Sequence, residues 1–294
     1  MPGFARALAS LSGRPQALTG AGDLGVGPRL AVVSSPVRVS LSTSSVYPGS
    51  TASAFEAAAR VGYDGVEVMV GTDEVSADIE AVTRLAEFHG VQVVSVHAPT
   101  LLLTQRVWGT EPWGKLHRAA DMAHAVGCDT IVVHPPFRWQ REYAADFVQG
   151  IADLEAEHGL TYAVENMYPW RTGRREFQAY APDWDPVGQD YAHVTVDLSH
   201  SGTAKQDPVQ MVRDLGDRLA HVHIADSMGS AKDEHMIPGR GRQPCAEFLA
   251  EVARSGYTGE VVVEINTRKA LDTRTREDAL IEALDFTRRH LEPR

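Results

Sequence analysis

Seven acidic or imidazole side chains are read as the polar ends of seven short apolar runs. They are Glu67 in GVEVM, His97 in VQVVSVH, His134 in TIVVH, Glu165 in TYAVEN, Asp197 in HVTVDL, His223 in AHVHIA and Glu264 in EVVVEI. A lone histidine of this kind is ordinarily a satisfied core or rim residue. Seven such groups converging on one place would need a compensating charge, which a divalent cation supplies most simply. An internal ion-pair network is the competing reading, but no basic residue stands at an equivalent position to balance them. Imidazole with carboxylate suits Zn, Mn or Co, whereas an oxygen-only set would suit Mg or Ca. Because the ligands must be deprotonated, metal affinity is expected to fall below about pH 6.

The stretch HVHIADSMGSAKDEHMIPGRG, residues 221–241, is the densest in such groups. His223 ends a strand, and His221, two residues earlier, shares its face but lies deeper. Asp233 and His235 fall on the following loop, Asp226 has no assigned role, and GRG is expected to turn tightly beside a pocket, leaving Arg240 for substrate.

These groups converge only if the runs become strands of one sheet. Eight runs qualify: 37–41, 65–69, 91–97, 130–134, 161–166, 193–198, 220–225 and 260–265. Helix-like segments alternate with them at 50–61, 75–89, 114–126, 143–158, weakly near 174–180, and at 207–215, 244–255 and 275–291. Glycine follows several of the apolar faces, as a left-handed helix terminus favours. Eight strand–helix units predict an α/β fold, a single (β/α)8 TIM barrel over 37–294 whose strand C-termini share one mouth. An open doubly wound sheet is disfavoured because no GxGxxG follows the first strand. Residues 1–36, rich in Ala, Gly, Ser and Pro, read as a flexible, disordered leader without the apolar stretch of a secretion signal.

Of 294 residues, 39 are acidic and 28 basic, giving a formal charge of -11 that disfavours a nucleic-acid partner without a local basic patch. No apolar run approaches the ~20 residues that span a bilayer, so no membrane association is expected. Cys128 and Cys245 are far apart with no CxxC pattern, which predicts a reduced, cytoplasmic protein. Self-association into a homo-oligomer is compatible with this composition. Ser199 and His200, adjacent at a strand end, do not make a nucleophile–base pair, since neighbours there point to opposite faces.

Tryptophan and arginine recur together in TQRVWGTEPWGK, PPFRWQREY and MYPWRTGRREF, each after a strand. They could simply pack as a lid. The functional reading is that Trp108, Trp139 and Trp170 form a wall against a sugar ring. Arg138, Arg171, Arg174 or Arg175 would then hold an anionic group, with Glu67 and Arg240 as further substrate contacts. Such loops favour a small sugar, sugar phosphate or cyclitol, although aromatics with arginines could equally stack bases.

In order, SVHAP, IVVHPP, AVENM, VTVDLSH, HVHIAD, DEHMIPGRG and VVVEIN resemble the xylose isomerase-like barrel superfamily, over residues 37 to about 290. That superfamily includes sugar isomerases and epimerases, inosose-processing enzymes and the endonuclease IV family. The isomerase branch implies one Mn, Co or similar ion held by Glu165, Asp197, His223 and Glu264. The two glutamates also serve there as an acid/base pair, moving a proton beside an oxygen held by the ion. The endonuclease branch implies three zinc ions on nine ligands, adding His97, His134, His200, Asp233 and His235. Thr100 departs from that branch, standing where its members carry a DNA-engaging tyrosine, and VEVMVGTDEVSADIE is acidic where phosphates would need Lys or Arg. The expectation is a divalent-metal-dependent sugar or sugar-phosphate isomerase/epimerase of carbohydrate metabolism. An endonuclease IV-like trinuclear zinc phosphodiesterase acting on abasic DNA is the alternative, and a barrel that binds a metabolite without turnover is a third class. Asp233 and His235 discriminate: as ligands they make a cluster, as substrate contacts they leave a single ion.

Overall fold

The computed structural model describes residues 37–172 and 175–292; the leader over 1–36, and Arg174, lie outside the described residues. Eight parallel strands close into a barrel: β1 (Arg38–Ser42), β2 (Val66–Met69), β3 (Val93–His97), β4 (Thr130–Val133), β5 (Thr161–Glu165), β6 (Val194–Asp197), β7 (Leu219–Ile224) and β8 (Glu260–Val263). Each pairs with its neighbours in sequence, and β8 closes on β1. The strands read in period two. Outward valines and leucines such as Val39, Leu41, Val68, Val96, Val164, Val196 and Val222 enter the helix-packed core. Between them, small or ionisable residues such as Ser40, Glu67, Ser95, Thr195, His221 and His223 are buried without joining it.

The register levels the chemistry. Asp197 lies opposite His223, His223 opposite Val262, and Met69 opposite His97. Carboxylate and imidazole donors therefore stand at neighbouring heights near one end of the barrel, as the shared-mouth argument requires.

Helices α1 (Thr51–Val61), α2 (Ile79–His89), α3 (Pro112–Val126), α4 (Arg141–His158), α5 (Leu198–Ala204), α6 (Pro208–Leu215), α7 (Cys245–Arg254) and α8 (Thr273–Leu291) cover the sheet. The chain reverses after α1 at Gly62 (φ 92°) and after α4 at Gly159 (φ 65°), conformations that favour glycine. No helix among the described residues is long and apolar enough to cross a membrane.

Two local expectations are corrected. The weak helix near 174–180 is instead part of a hairpin: Trp170–Thr172 pairs antiparallel with Arg175–Phe177, and Tyr180 bridges to Phe137. Its aromatic residues alternate with polar ones, so Trp170 and Phe177 meet across the pair at 5.8 Å, a period that suits strands. Ser199 and His200 do not end a strand; they lie on α5, because the Asp197 carboxylate accepts the His200 amide at 2.6 Å and caps a new helix.

Candidate metal centre

Beneath the strand ends lies Glu67, fully buried on β2. Its Oε2 accepts from Ser95 Oγ at 2.8 Å and His221 Nε2 at 2.9 Å, and its Oε1 accepts from His223 Nε2 at 3.0 Å. Burial alone would raise its pKa, but the His223 and His221 imidazoles outweigh that and hold it well below the usual carboxylate range. Glu67, expected to touch substrate, therefore has both oxygens occupied beneath the site. An ionised Glu67 makes His223 Nε2 a donor, which leaves the lone pair of the neutral ring on Nδ1.

That lone pair faces Glu264 Oε2 at 3.0 Å, Glu165 Oε1 at 3.2 Å and Asp197 Oδ2 at 3.7 Å. The same confrontation recurs around it. His97 directs Nδ1 to the Ala98 carbonyl and Nε2 to Glu165 Oε2 at 3.2 Å; His134 Nε2 reaches the same oxygen at 2.8 Å, where it can donate, because its buried Nδ1 has no hydrogen-bond partner. On the loop side, His200 directs Nδ1 to the Asn166 carbonyl and His235 directs Nδ1 to the Glu264 carbonyl, at 2.9 and 2.8 Å. Both then turn Nε2 toward Asp233 Oδ2, at 3.2 and 2.9 Å. Glu165 joins the first two groups; its Oε1 also lies 3.2 Å from His200 Nδ1.

A nitrogen lone pair and a carboxylate oxygen repel at this distance unless a proton or a cation lies between them. With protons alone, the cluster would need several imidazolium ions. Against the penalty of burial, Asp197, Asp233 and Glu165 raise the His200 pKa well above its ordinary value, and Glu67, Glu264 and Glu165 do the same to His223. His235 is raised to about 10 because Asp233 and Asp197 outweigh its burial. Asp197 is pushed up to about 6, chiefly by burial, and its buried Oδ2 has no hydrogen-bond partner. A divalent ion removes each difficulty at once, and donors about 2.0–2.2 Å from a tetrahedral ion stand roughly 3.2–3.6 Å apart, close to these separations. Four sets in the barrel each place their donor atoms within 4.8 Å of one another: Glu67 with His221 and His223, His97 with His134 and Glu165, Asp197 with His200 and His235, and Glu165 with Asp197 and His223. The residues present thus fit divalent-metal binding.

The supports were harder to foresee. Asn166 braces β5 against β6, its side chain accepting the Asp197 amide at 2.6 Å and donating to the Asp197 carbonyl at 3.1 Å. Ser199 Oγ donates to Asp233 Oδ1 at 2.6 Å and accepts the His235 amide at 3.0 Å, fixing a residue held at φ 44°. Ser44, after β1, donates to Glu264 Oε1 at 2.9 Å. Asp226 accepts the amides of Ser227, Gly239, Gly241 and Gln243 at 2.8–2.9 Å and so shapes the whole loop. An acid followed by GRG was its only trace in the sequence; serines and an asparagine beside ligands carry no spacing signal.

The Trp and Arg loops divide. Trp139 is half-exposed, stacks on Phe137 at 4.5 Å and lies 6.0 Å from Trp170. With His134, Thr100 and Lys115, Phe137 and Trp139 line a cavity of about 270 Å³. Arg138 and Arg175 are exposed. Trp108 is turned to packing, donating Nε1 to the Ala77 carbonyl at 2.9 Å beneath the Arg118 guanidinium. Arg171 ties the hairpin to α5, donating to the Thr203 carbonyl at 2.6 Å and to Glu176 at 2.9 Å. Arg240, expected at substrate, pairs instead with Glu282 of α8, since the loop Asp226 organises carries it outward.

A family model described as a xylose isomerase-like TIM barrel matches residues 55–290. An uncharacterized protein of Mycobacterium tuberculosis is 47% identical over 274 residues, covering 87% of this chain and 98% of that protein. Fructoselysine 3-epimerase of Escherichia coli O157:H7 is 24% identical over 239 residues, 73% of this chain and 85% of the enzyme. The crystal structure of D-allulose 3-epimerase from Methylomonas sp. in complex with D-allulose shares the fold, with a TM-score of 0.62 at 21% identity over 87% of this chain and 97% of that one. The chain is distantly related to sugar 3-epimerases, and it belongs to the xylose isomerase-like TIM barrel family.

Proposed function

We propose that this protein is a divalent-metal-dependent sugar or sugar-phosphate epimerase or isomerase. One observation carries the reading: Glu165 from β5 and Glu264 from the end of β8 reach the same His223 nitrogen, from strands that flank β6 and β7 on either side. A divalent ion held by Glu165, Asp197, His223 and Glu264 would supply Lewis-acid polarisation of a substrate carbonyl or hydroxyl oxygen, acidifying the neighbouring C–H. Glu165, kept ionised by the surrounding imidazoles against its burial, is suited to take that proton. Glu264 is suited to return one from the other side, with Ser44 orienting its second oxygen. Return to the opposite face inverts the carbon; return to the adjacent carbon moves the carbonyl. The cavity beside His134, with Phe137 and Trp139 in its wall, is of a size for a small polyol and gives its ring an apolar face. The names of the relatives, which act on fructoselysine and D-allulose, support the sugar class.

The test is incubation of metal-loaded protein with ketoses and their phosphates in deuterated water, followed by NMR. Deuterium at the carbon beside the carbonyl, together with the epimer or isomer, is the expected result. No exchange with any sugar, ketose or polyol would sink the reading.

A second reading has its own observation. His97 with His134, and His200 with Asp233 and His235, repeat the lone-pair-to-carboxylate geometry beyond the four central ligands, as three zinc ions would require. A phosphodiesterase of abasic DNA would use such a cluster. Against it, Asp73 in the loop after β2 turns inward to accept from Thr51 and Val75, and neither lysine nor arginine stands in that loop to meet phosphate.

A further inference from the structure

A second group of imidazoles lies away from the barrel mouth. His117 and His124 are seven residues apart on α3, two turns along one face, and His158 is the last residue of α4. Because α4 runs back against the strands and leads into β5, His158 sits toward the foot of the barrel, opposite the end that carries the candidate centre. His117 Nδ1 lies 2.9 Å from His158 Nε2, and the rings meet edge to face at 5.1 Å. His124 Nε2 donates to the His158 carbonyl at 3.1 Å, which holds the end of α4 against α3. Glu157 Oε1 is 4.0 Å from His158 Nε2, and its carboxylate is well exposed. The ligand atoms of His117, Glu157 and His158 all lie within 4.8 Å of one another.

We infer that His117, His158 and Glu157 form a peripheral binding site for a divalent transition-metal ion, bracing α3 to α4 independently of the barrel mouth. Two ring nitrogens this close can share only one proton. An ion in place of that proton satisfies both lone pairs, and Glu157 supplies part of the balancing charge. Nitrogens 2.9 Å apart, each about 2.0–2.1 Å from an ion, subtend roughly 90° at it, which is the angle of tetragonal Cu(II) or Ni(II). Tetrahedral Zn(II) would require the rings to open by about half an ångström. The expected order of affinity is therefore Cu(II), then Ni(II), then Zn(II). Both rings are only partly buried, so the ion has access from solvent.

The test uses the full chain with its mouth metal loaded, freed of loosely bound ions, and titrated with Cu(II) or Ni(II) alone. Wild type is expected to take up one equivalent more than the double variant His117→Gln/His158→Gln. It should show Cu(II) electron paramagnetic resonance with nitrogen couplings from two imidazoles, and its Tm should rise on loading. Glu157→Gln, at an exposed position that leaves the fold intact, should weaken binding severalfold and keeps the test decisive if the double variant folds poorly. Equal uptake by wild type and Glu157→Gln at equal affinity, or a Cu(II) spectrum without imidazole nitrogen, would overturn the proposal.

Discussion

The mouth and the foot of this barrel are both rich in histidine and carboxylate, yet they use them differently. At the foot, apart from the His117–His158 pair, the groups pair nearly one to one: His193 with Glu155 at 2.6 Å, and Ser40 and Arg38 with Glu260. At the mouth, Glu165 alone faces four imidazoles, and Asp233 faces two. One-to-one pairs satisfy each other and stabilise the fold. Crowded carboxylates whose imidazole partners are mostly committed already, through Nδ1 to backbone carbonyls or through Nε2 to Glu67, are satisfied by extra protons or, with less charge crowding, by an added cation. Partial charge matching, more than the count of histidines, separates a ligand field from a structural network.

The largest effect that sharpens this contrast is expected from Glu165→Gln. It joins two donor groups, so its loss should lower bound metal and cut sugar C–H exchange by about 10³-fold, within the range seen for removal of a general base. Elemental analysis beside the exchange assay reads both. Next is Glu67→Gln, which keeps the volume but cannot accept from both His221 and His223 as a carboxylate does. Metal affinity should weaken about 10–100-fold, the usual scale for a group that orients a ligand. A chelator competition measures it, and an unchanged affinity would mean that His223 does not need Glu67 to present Nδ1.

Gly241→Ala comes third. An added Cβ would meet Asp226 Oδ1 at 2.3 Å and the Ser227 carbonyl at 2.6 Å, so the loop carrying Asp233 and His235 must shift. A loss of about 1–3 kcal/mol in denaturant unfolding is expected.

The smallest effect belongs to the foot. The hydrogen bond from Glu155, with its charge, raises the His193 pKa above its ordinary value despite partial burial. Its contribution to stability is therefore complete below the unfolded pKa of about 6.5 and fades as pH rises through the raised folded value. His193→Gln should lower Tm slightly near pH 5.5 and hardly at all in alkaline buffer, since a partly exposed pair contributes at most about 1 kcal/mol.

The barrel and the meeting of its polar strand ends were legible because both rest on period and position. Val-rich runs ending in Glu165, Asp197 and His223 say that a donor lies at each strand end, and closure of the sheet brings the donors together. Glu67 misled because it stands in the middle of its run, one layer below the mouth, where the same face offers support and not access. Arg240 and Arg171 misled for a different reason. A long side chain can swing to any carboxylate or carbonyl its loop passes, and that path was set by Asp226 and by the hairpin. The helix α5 was hidden because a single side-chain cap by Asp197, not an apolar period, starts it.

The central claim is that Glu165 and Glu264 move a proton on a sugar carbon, and solvent-deuterium exchange into ketoses tests it most directly. The wild-type protein loaded with Mn, Co or Zn should incorporate deuterium beside the carbonyl, while Glu165→Gln and Glu264→Gln, each shown to be folded, should not. Absence of exchange from the loaded wild type, with three zinc ions per chain and cleavage of a duplex containing an abasic site, would contradict it.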